Sequence, residues 1–430
     1  MTEFADALAA RLEKLVSPYG VISGVSSAVQ LRGFGSLSLA AGQVGAAPGI
    51  QQPEEFNGSG RAMGRPDLAR LIAIAEAAER YSGADFLCEL DVPAREAELD
   101  GPVLDMTALP RCSPREYESG HCPVSTYHPE ESIRWLRGLE LVSGHDMWVP
   151  AVMARYGRRR VLEAEAFWHR ISTGYAVHSD PAEAVLRGLC EVAERDAAAL
   201  TWLQMLPLPP VRFRSPGGEL ATLLEACARQ FVETLFFDAT TDVGVPTVCC
   251  LQLAEHDEWC AQSMTVATGR SLADAAAKSL LESITGRALH HRPDRDGYSL
   301  IMAGADELGA RERRHAFGFL LEHKDGSAQG EPRRREDGPV LAEDAREALR
   351  HLVGGFAARG QQVVAVDRTT SELREAGLTA VCVIVPALQP LTFHRYGQYR
   401  AHPRLYAAPK QMGFPSRPEE ELNPWPVPYV

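Results

Sequence analysis

The sequence predicts an α/β (α+β) protein whose mixed or antiparallel sheets carry three acid-bearing helices. An arrangement as two pseudo-related halves is left open. Apolar stretches of strand length alternate with longer stretches rich in Ala, Leu and Glu. Two of the longer stretches share an ExxER spacing, and a third has one Glu and one Arg on neighbouring turns. Along the chain we expect an N-terminal helix over residues 1–16, one large body over 17–416 and a Pro-rich tail over 417–430.

The N-terminal part is predicted as a helix, strands, a loop and a first acid-bearing helix. Residues 1–16 have apolar side chains at helical spacing, and residues 21–43 alternate apolar and small side chains as strands do. Segment 44–67 is rich in Gly, Pro and polar residues and is predicted as a loop. Asp67 can cap a helix, and the composition of residues 68–81 favours one.

The same alternation continues to the C-terminus. Further helices are predicted at 181–202, 272–289 and 341–358, and strands at 146–154, 159–168, 246–254 and 260–267. Two buried strands, 362–367 and 380–385, flank a helix at 370–376, which predicts a βαβ-like unit. Segment 322–338 is charged and predicted as an exposed loop. The tail from Pro403 onward is predicted to have little regular structure.

Composition and charge disfavour several classes of function. The 430 residues carry a net charge of −13, and an acidic surface repels the phosphates of nucleic acid. The N-terminus lacks the features of a signal peptide, and no apolar run is long enough to cross a membrane, so we expect a cytoplasmic protein. Nine cysteines without regular spacing predict free thiols rather than a disulfide framework or a zinc site.

Paired carboxylates are the most informative feature. Glu76 and Glu79 lie three residues apart on the first predicted helix, and Glu191 and Glu194 on the second. Side chains at i and i+3 share a helix face, here among mainly apolar neighbours. Acids packed together need cations, and Mg²⁺ shared with polyphosphate oxygens fits these residue types. For any one copy, a solvated stripe of ion pairs is the alternative.

A glycine-rich segment precedes the first acid-bearing helix. Residues 58–64 include Arg61, and glycine permits close approach of the backbone to phosphate. The segment is not a P-loop, because GxxxxGK[ST] is absent.

Taken in order, these motifs resemble the YcaO family. Residues 71–82 resemble its first signature, an AExxERYS-like helix after a Gly-Lys-Gly-like loop. Residues 172–176 with 188–197 resemble the second signature, and 267–270 with 281–287 the third. Residues 423–430 are similar to the PxPxP tail of azoline-forming members. The resemblance runs from about residue 17 to the C-terminus and implies an ATP-binding catalytic domain over 17–416.

The resemblance implies an ATP- and Mg²⁺-dependent enzyme that modifies backbone amides of a ribosomally made precursor peptide. In azoline-forming members, a Cys thiol or a Ser/Thr hydroxyl attacks the preceding amide carbonyl. The resulting oxyanion is phosphorylated, and loss of phosphate leaves a thiazoline or oxazoline. Phosphorylation is needed because an amide oxygen is a poor leaving group as hydroxide.

The resemblance also implies roles for particular residues. Metal and triphosphate would be held by Glu76, Glu79, Glu191 and Glu194. The nucleotide would be contacted, or those acids braced, by Arg80, Arg195, Glu282 and Arg287, with Arg61 near the place of the loop lysine. The tail would lie at the active site through Pro424, Pro426 and Pro428, and the Val430 carboxylate would help to transfer protons.

The chain departs from the family pattern at several positions. Arg61 replaces Lys, and the loop is one residue longer before the helix. Ile72 stands where Ser is common, Thr173 where Asn is common and Thr285 where Gln is common. These departures concern individual nucleotide contacts and leave the four paired carboxylates in place.

Several functions stay open at this point. Within the enzyme class, they are azoline formation, thioamide formation with a TfuA-like partner, and macroamidine formation. In another class stands a non-catalytic nucleotide-binding scaffold, and in a third an unrelated α/β protein whose repeats arise by chance. The resemblance implies a separate leader-binding partner related to ubiquitin-activating enzymes and a flavin-dependent azoline dehydrogenase. A homodimer is also open.

Overall fold

The structure is a computed structural model that describes residues 2–27, 34, 36–45, 56–84, 91–157, 162–214, 216–290, 306–324 and 338–428. Its helices are α1 (Thr2–Glu13), α2 (Pro66–Ser82), α3 (Pro114–Glu118), α4 (Pro181–Leu203), α5 (Gly218–Arg229), α6 (Leu272–His290), α7 (Gly318–Leu321), α8 (Ala345–Ala358), α9 (Ser371–Glu375) and α10 (Arg404–Gln411). Its strands are β1 (Ile22–Ser27), β2 (Leu37–Val44), β3 (Gly58–Met63), β4 (Val92–Ala94), β5 (Ile133–Glu140), β6 (Asp146–Pro150), β7 (Tyr175–His178), β8 (Pro210–Val211), β9 (Glu233–Asp238), β10 (Thr247–Leu253), β11 (Gln262–Thr268), β12 (Val364–Asp367) and β13 (Thr379–Ile384).

This is a mixed α+β protein with antiparallel sheets, as the sequence predicts. Its residues form two compact units. The first unit comprises Met1–Leu109, Val124–Val192 and Asp344–Pro386, and the second comprises Pro110–Pro123, Ala193–Glu343 and Ala387–Val430. Among the described residues, none of the helices combines the length and the apolar character needed to cross a membrane.

In the first unit, α2 packs against a three-stranded antiparallel sheet of order β1-β2-β3. The backbones approach so closely that a Cβ added at Gly60 would lie 1.8 Å from the carbonyl oxygen of Ala69. One added at Gly58 would lie 2.3 Å from the backbone nitrogen of Ala77. The predicted loop over 44–67 is therefore wrong for residues 58–63, which form β3. These glycines make room for a helix and do not form a turn.

The first unit also contains a larger antiparallel sheet of order β4-β5-β12-β13-β7, in which β6 pairs with β5. Its core includes Trp135, Val149 and Ile384. The predicted βαβ-like unit is wrong, because β12 and β13 are antiparallel neighbours. The helix between them has only five residues, whereas a parallel crossover needs a dozen or more.

In the second unit, α5 and α6 pack beside a four-stranded antiparallel sheet of order β11-β10-β9-β8. The core of this unit contains the C-terminal part of α4, through the buried side chains of Trp202 and Leu203, and the inner face of the sheet, through Phe237 and Leu251. The side chain of Val427 belongs to the same cluster, so the C-terminal segment is part of this core.

Most of the predicted elements are confirmed. Helices predicted at 1–16, 68–81, 181–202 and 272–289 correspond to α1, α2, α4 and α6, and β1, β2, β10 and β11 lie within or next to the predicted strands. Helix α8 begins four residues later than predicted, because the Asp344 side chain accepts a hydrogen bond from the Glu347 amide and caps it there.

Four predictions concern less regular segments. Strand 146–154 is half confirmed, since β6 ends at Pro150 and a 3₁₀ turn follows. Strand 159–168 is wrong over the described residues 162–168. There the buried Glu165 accepts hydrogen bonds from the Arg134 backbone and guanidinium, and a 3₁₀ turn forms. The predicted irregular tail is wrong over α10. Of the predicted loop 322–338, residues 325–337 lie outside the described residues.

Candidate functional site

The first acid of the site is Glu76 on α2. One carboxylate oxygen accepts hydrogen bonds from the Ser59 backbone amide at 2.6 Å and the Ser59 hydroxyl at 2.9 Å. The other oxygen forms an ion pair with Arg80, one turn further along the helix. The same guanidinium also donates to the backbone carbonyl of Asn57. Glu76 is thus oriented by β3 on one side and by its own helix on the other.

Glu79 lies one turn from Glu76 and is half-buried. Its carboxylate accepts a hydrogen bond from the Val177 backbone amide of β7 at 3.2 Å. Burial, followed by the negative charges of Glu191 and Glu76, raises the pKa of Glu79 to about 8. A carboxyl group that holds its proton near neutral pH is one that the protein leaves without enough positive charge. The site is therefore prepared for a cation.

Helix α4 supplies Glu191 to the same unit. Its carboxylate accepts a hydrogen bond from the Gly174 backbone amide at 3.0 Å. Gly174 has φ +88°, and a Cβ there would lie 2.3 Å from the Val383 carbonyl oxygen. Any other residue at Gly174 would displace the turn that presents this amide, so the glycine is required for the contact.

The second unit contains Glu194 and Arg195 in a similar arrangement. One oxygen of Glu194 accepts hydrogen bonds from the Thr268 backbone amide at 2.7 Å and the Thr268 hydroxyl at 3.1 Å. The other oxygen lies 3.7 Å from the guanidinium of Arg195. Thr268 ends β11, so a strand holds this acid as β3 holds Glu76.

The remaining predicted nucleotide contacts have different surroundings. The guanidinium of Arg287 on α6 is buried and forms an ion pair with Asp257 at 2.8 Å. Its partner is thus an acid other than the four predicted ones. Glu282 lies half-buried on the same helix. Arg61 is a half-buried residue of β3 opposite Leu39 of β2.

The described part of the tail packs onto the second unit. The Trp425 carbonyl accepts a hydrogen bond from the indole of Trp202 at 3.1 Å, and the Asn423 amide donates to the Leu203 carbonyl at 2.9 Å. Of the three prolines of this segment, Pro426 and Pro428 are buried and Pro424 is exposed. Val430 lies outside the described residues.

Sequence reasoning missed two contributors to the site. The hydroxyls of Ser59 and Thr268 contact the acids directly, but a single Ser or Thr next to a glycine carries no recognisable signal. Asp196 follows the second ExxER and could pass for a further ligand. The structure assigns it a different role, because both of its oxygens accept hydrogen bonds from Arg404 at 2.6 Å in the buried core of the second unit.

The donor set fits magnesium shared with a polyphosphate. The four glutamates supply carboxylate oxygens, the hard ligands that Mg²⁺ prefers. Within the part of the chain that the structure describes, no three His, Cys, Asp or Glu side chains form a ready-made chelating group. Mg²⁺ commonly binds one or two carboxylates together with substrate phosphates and water, so a loose group of acids is compatible with it.

The family of the chain follows from comparison with known proteins. Residues 59–389 match the family described as YcaO cyclodehydratase, ATP- and Mg²⁺-binding. Because this match covers well over half of the chain, the protein belongs to the YcaO family. The match begins at Ser59, at the start of the Glu76 site.

Three solved structures have the same fold. A heterocyclase in complex with substrate and cofactor has a TM-score of 0.80 at 21% identity, covering 98% of this chain and 57% of that chain. YcaO from Methanopyrus kandleri, bound with AMPPCP and Mg²⁺, has a TM-score of 0.63 at 19% identity, covering 88% of each. The E. coli microcin synthetase McbBCD complex has a TM-score of 0.61 at 15% identity, covering 87% of this chain and 90% of that chain. These identities establish the fold alone.

A curated relative matches at the sequence level. It is an uncharacterized protein in the tfuA 3′ region of Rhizobium leguminosarum bv. trifolii, 26% identical over 340 residues, covering 75% of this chain and 73% of the relative. The chain spans little more than half of the heterocyclase named above.

Proposed function

We propose that this protein is an ATP- and Mg²⁺-dependent cyclodehydratase that forms thiazoline or oxazoline rings in a ribosomally made precursor peptide. The observation that carries the proposal is the group of carboxylates in the first unit, where burial and neighbouring acids raise the pKa of Glu79 to about 8. Membership of a family described as ATP- and Mg²⁺-binding supports ATP and Mg²⁺ as the ligands of this group.

The residues would act by binding and orienting the nucleotide. In the first unit, Glu76, Glu79 and Glu191 would hold the metal, which supplies positive charge against the triphosphate. Glu194 and Arg195 of the second unit, with the same combination of acid and base, would have a role of the same kind. Each of these acids accepts a hydrogen bond from a backbone amide, so its orientation is set before the nucleotide binds.

The proposed reaction on the peptide has three steps. The side-chain sulfur or oxygen forms a bond to the preceding carbonyl carbon, and its proton is released. The former amide oxygen takes the γ-phosphoryl group from ATP, leaving ADP. Phosphate then departs with that oxygen as the amide nitrogen loses its proton and forms the C=N bond. ATP thus converts a poor leaving group into a good one.

Substrate delivery would depend on other proteins. McbBCD, which shares this fold, is a complex. We include in the proposal a separate leader-binding protein related to ubiquitin-activating enzymes and a flavin-dependent dehydrogenase that oxidises azoline to azole. The tail prolines Pro424, Pro426 and Pro428, together with Val430, are proposed to adjoin the reacting peptide.

The first test is Mg²⁺-dependent ATP binding, measured by calorimetry. The native protein should bind, and Glu76→Gln/Glu194→Gln should not. A matched control is Glu225→Gln, which removes an exposed acid paired with Arg229 on α5. Binding that survives in the double variant would displace the proposed site, and a native protein that does not bind would count against the function.

The second test is the mass of the modified peptide. Each azoline ring lowers the peptide mass by one water, whereas thioamide formation exchanges oxygen for sulfur and raises it. A gain in peptide mass would show that the reaction is thioamidation and would contradict the proposed cyclodehydration. ATP binding without any peptide-dependent phosphate release would favour a nucleotide-binding scaffold.

A further inference from the structure

Two of the predicted acids, Glu76 and Glu194, are each held by the same kind of double hydrogen bond. In each, one carboxylate oxygen accepts both the backbone amide and the side-chain hydroxyl of a single strand residue. Ser59 on β3 holds Glu76 in this way, and Thr268 at the end of β11 holds Glu194. In each, an arginine lies beside the other oxygen. One of these two pairs lies in each compact unit, and the two donor residues are 209 positions apart in the chain (268 − 59).

The two remaining acids provide an internal comparison. Glu79 and Glu191 accept backbone amides from Val177 and Gly174. Neither donor residue has a side-chain hydroxyl, so the contact from each of these two donor residues comes from the backbone amide. A substitution that removes the hydroxyl of Ser59 or Thr268 keeps the amide in place. The contribution of the hydroxyl can therefore be measured separately from the fold of the strand.

A double hydrogen bond restricts the orientation of a carboxylate. It fixes the rotation of the carboxyl group, because two donors meet the same oxygen from one residue. The opposite oxygen is thereby directed away from the strand. Groups that orient metal ligands from outside commonly change metal affinity by about 10- to 100-fold when removed.

We propose that the hydroxyls of Ser59 and Thr268 are positioning groups: Ser59 orients Glu76 in the first unit, and Thr268 orients Glu194 in the second unit, for binding of magnesium and nucleotide. This inference rests on the proposed function. It goes beyond it by assigning roles to two residues that neither the charge pattern nor the resemblance singles out. They are positioning residues because they act through the carboxylates.

The test compares Ser59→Ala and Thr268→Val with the native full chain. The Kd for Mg·ATP is measured by calorimetry at several concentrations of free Mg²⁺. Each variant should bind about tenfold more weakly at low Mg²⁺, and excess Mg²⁺ should restore most of the affinity. The conservative changes Ser59→Thr and Thr268→Ser keep the hydroxyl and should bind like the native protein. A defect that is merely structural would respond to neither Mg²⁺ nor the retained hydroxyl.

Thr107 provides the matched control. Its amide and hydroxyl donate to one oxygen of Asp105 at 2.9 Å and 2.6 Å, the same double contact at a short 3₁₀ helix. Thr107→Val should leave Mg·ATP binding unchanged. Native-like binding by both Ser59→Ala and Thr268→Val would overturn the positioning role while leaving the proposed function standing. Absence of binding in the native protein would overturn both.

Discussion

Glu79 allows the electrostatics of the site to be tested directly. With a pKa of about 8, its carboxyl group holds a proton in about nine-tenths of the molecules at pH 7. A carboxylate must be ionised to bind a metal, so binding should displace that proton. We therefore expect roughly 0.9 proton to be released per bound complex at pH 7 and roughly 0.1 at pH 9.

The measurement is calorimetry of preformed Mg·ATP into the protein, in buffers of different ionisation enthalpy. The slope of observed enthalpy against ionisation enthalpy gives the number of protons released. Glu79→Gln should release almost none, while Glu225→Gln should behave like the native protein. Equal proton release by the native protein and Glu79→Gln at pH 7 would refute the reasoning, because the proton would then come from another group.

The same pKa shift has a consequence for the nucleotide-free protein. The pKa of Glu79 rises from an ordinary 4.5 to about 8 on folding. Between these values the folded state holds a proton that the unfolded state lacks, so stability falls as the pH rises. The slope for this group is at most about 1.4 kcal/mol per pH unit. The free energy of unfolding, measured by chemical denaturation between pH 5 and 8, should fall less steeply with pH in Glu79→Gln than in the native protein.

Four predictions concern stability and are checked by denaturant titration. Gly60→Ala should destabilise by about 3 kcal/mol or more, because its Cβ would overlap the α2 backbone. Gly354→Ala on α8, with nothing near the added methyl, should instead stabilise by up to about 1 kcal/mol. Val427→Ala should cost about 2 kcal/mol if the tail belongs to the core of the second unit, and a negligible cost would contradict that packing. Asp196→Ala should cost about 3–5 kcal/mol by leaving the charge of Arg404 buried with one partner fewer.

The acid-bearing helices could be predicted because their signals are local. In α2, α4 and α6 the composition favours helix over many residues, and in α2 and α4 the i, i+3 spacing of the acids is visible without knowledge of the fold. The apolar pattern of β12 and β13 is the same for parallel and antiparallel neighbours, and only the shortness of the helix between them favours the antiparallel direction. The glycines of β3 were ambiguous for a similar reason, since glycine serves both turns and close packing.

The groups that orient the acids were beyond single-sequence reasoning. The Val177 amide that contacts Glu79 is 98 positions away, and the Thr268 amide that contacts Glu194 is 74 positions away. A backbone amide has no identity in the sequence, so nothing marks it as a donor to a particular acid. Asp196 shows the converse, since an acid beside the second motif has a structural partner that only the fold reveals.

Close packing and the chemistry of the site are connected through β3. Glutamate is long and has several freely rotating bonds, so an acid on a helix face is not fixed by the helix alone. Ser59 fixes Glu76 through hydrogen bonds of 2.6 Å and 2.9 Å. Those contacts exist because Gly58 and Gly60 bring the strand against α2. A side chain that pushed the strand outward by one ångström would stretch both bonds beyond useful length. The glycines thus hold the carboxylate in place by letting the strand approach the helix.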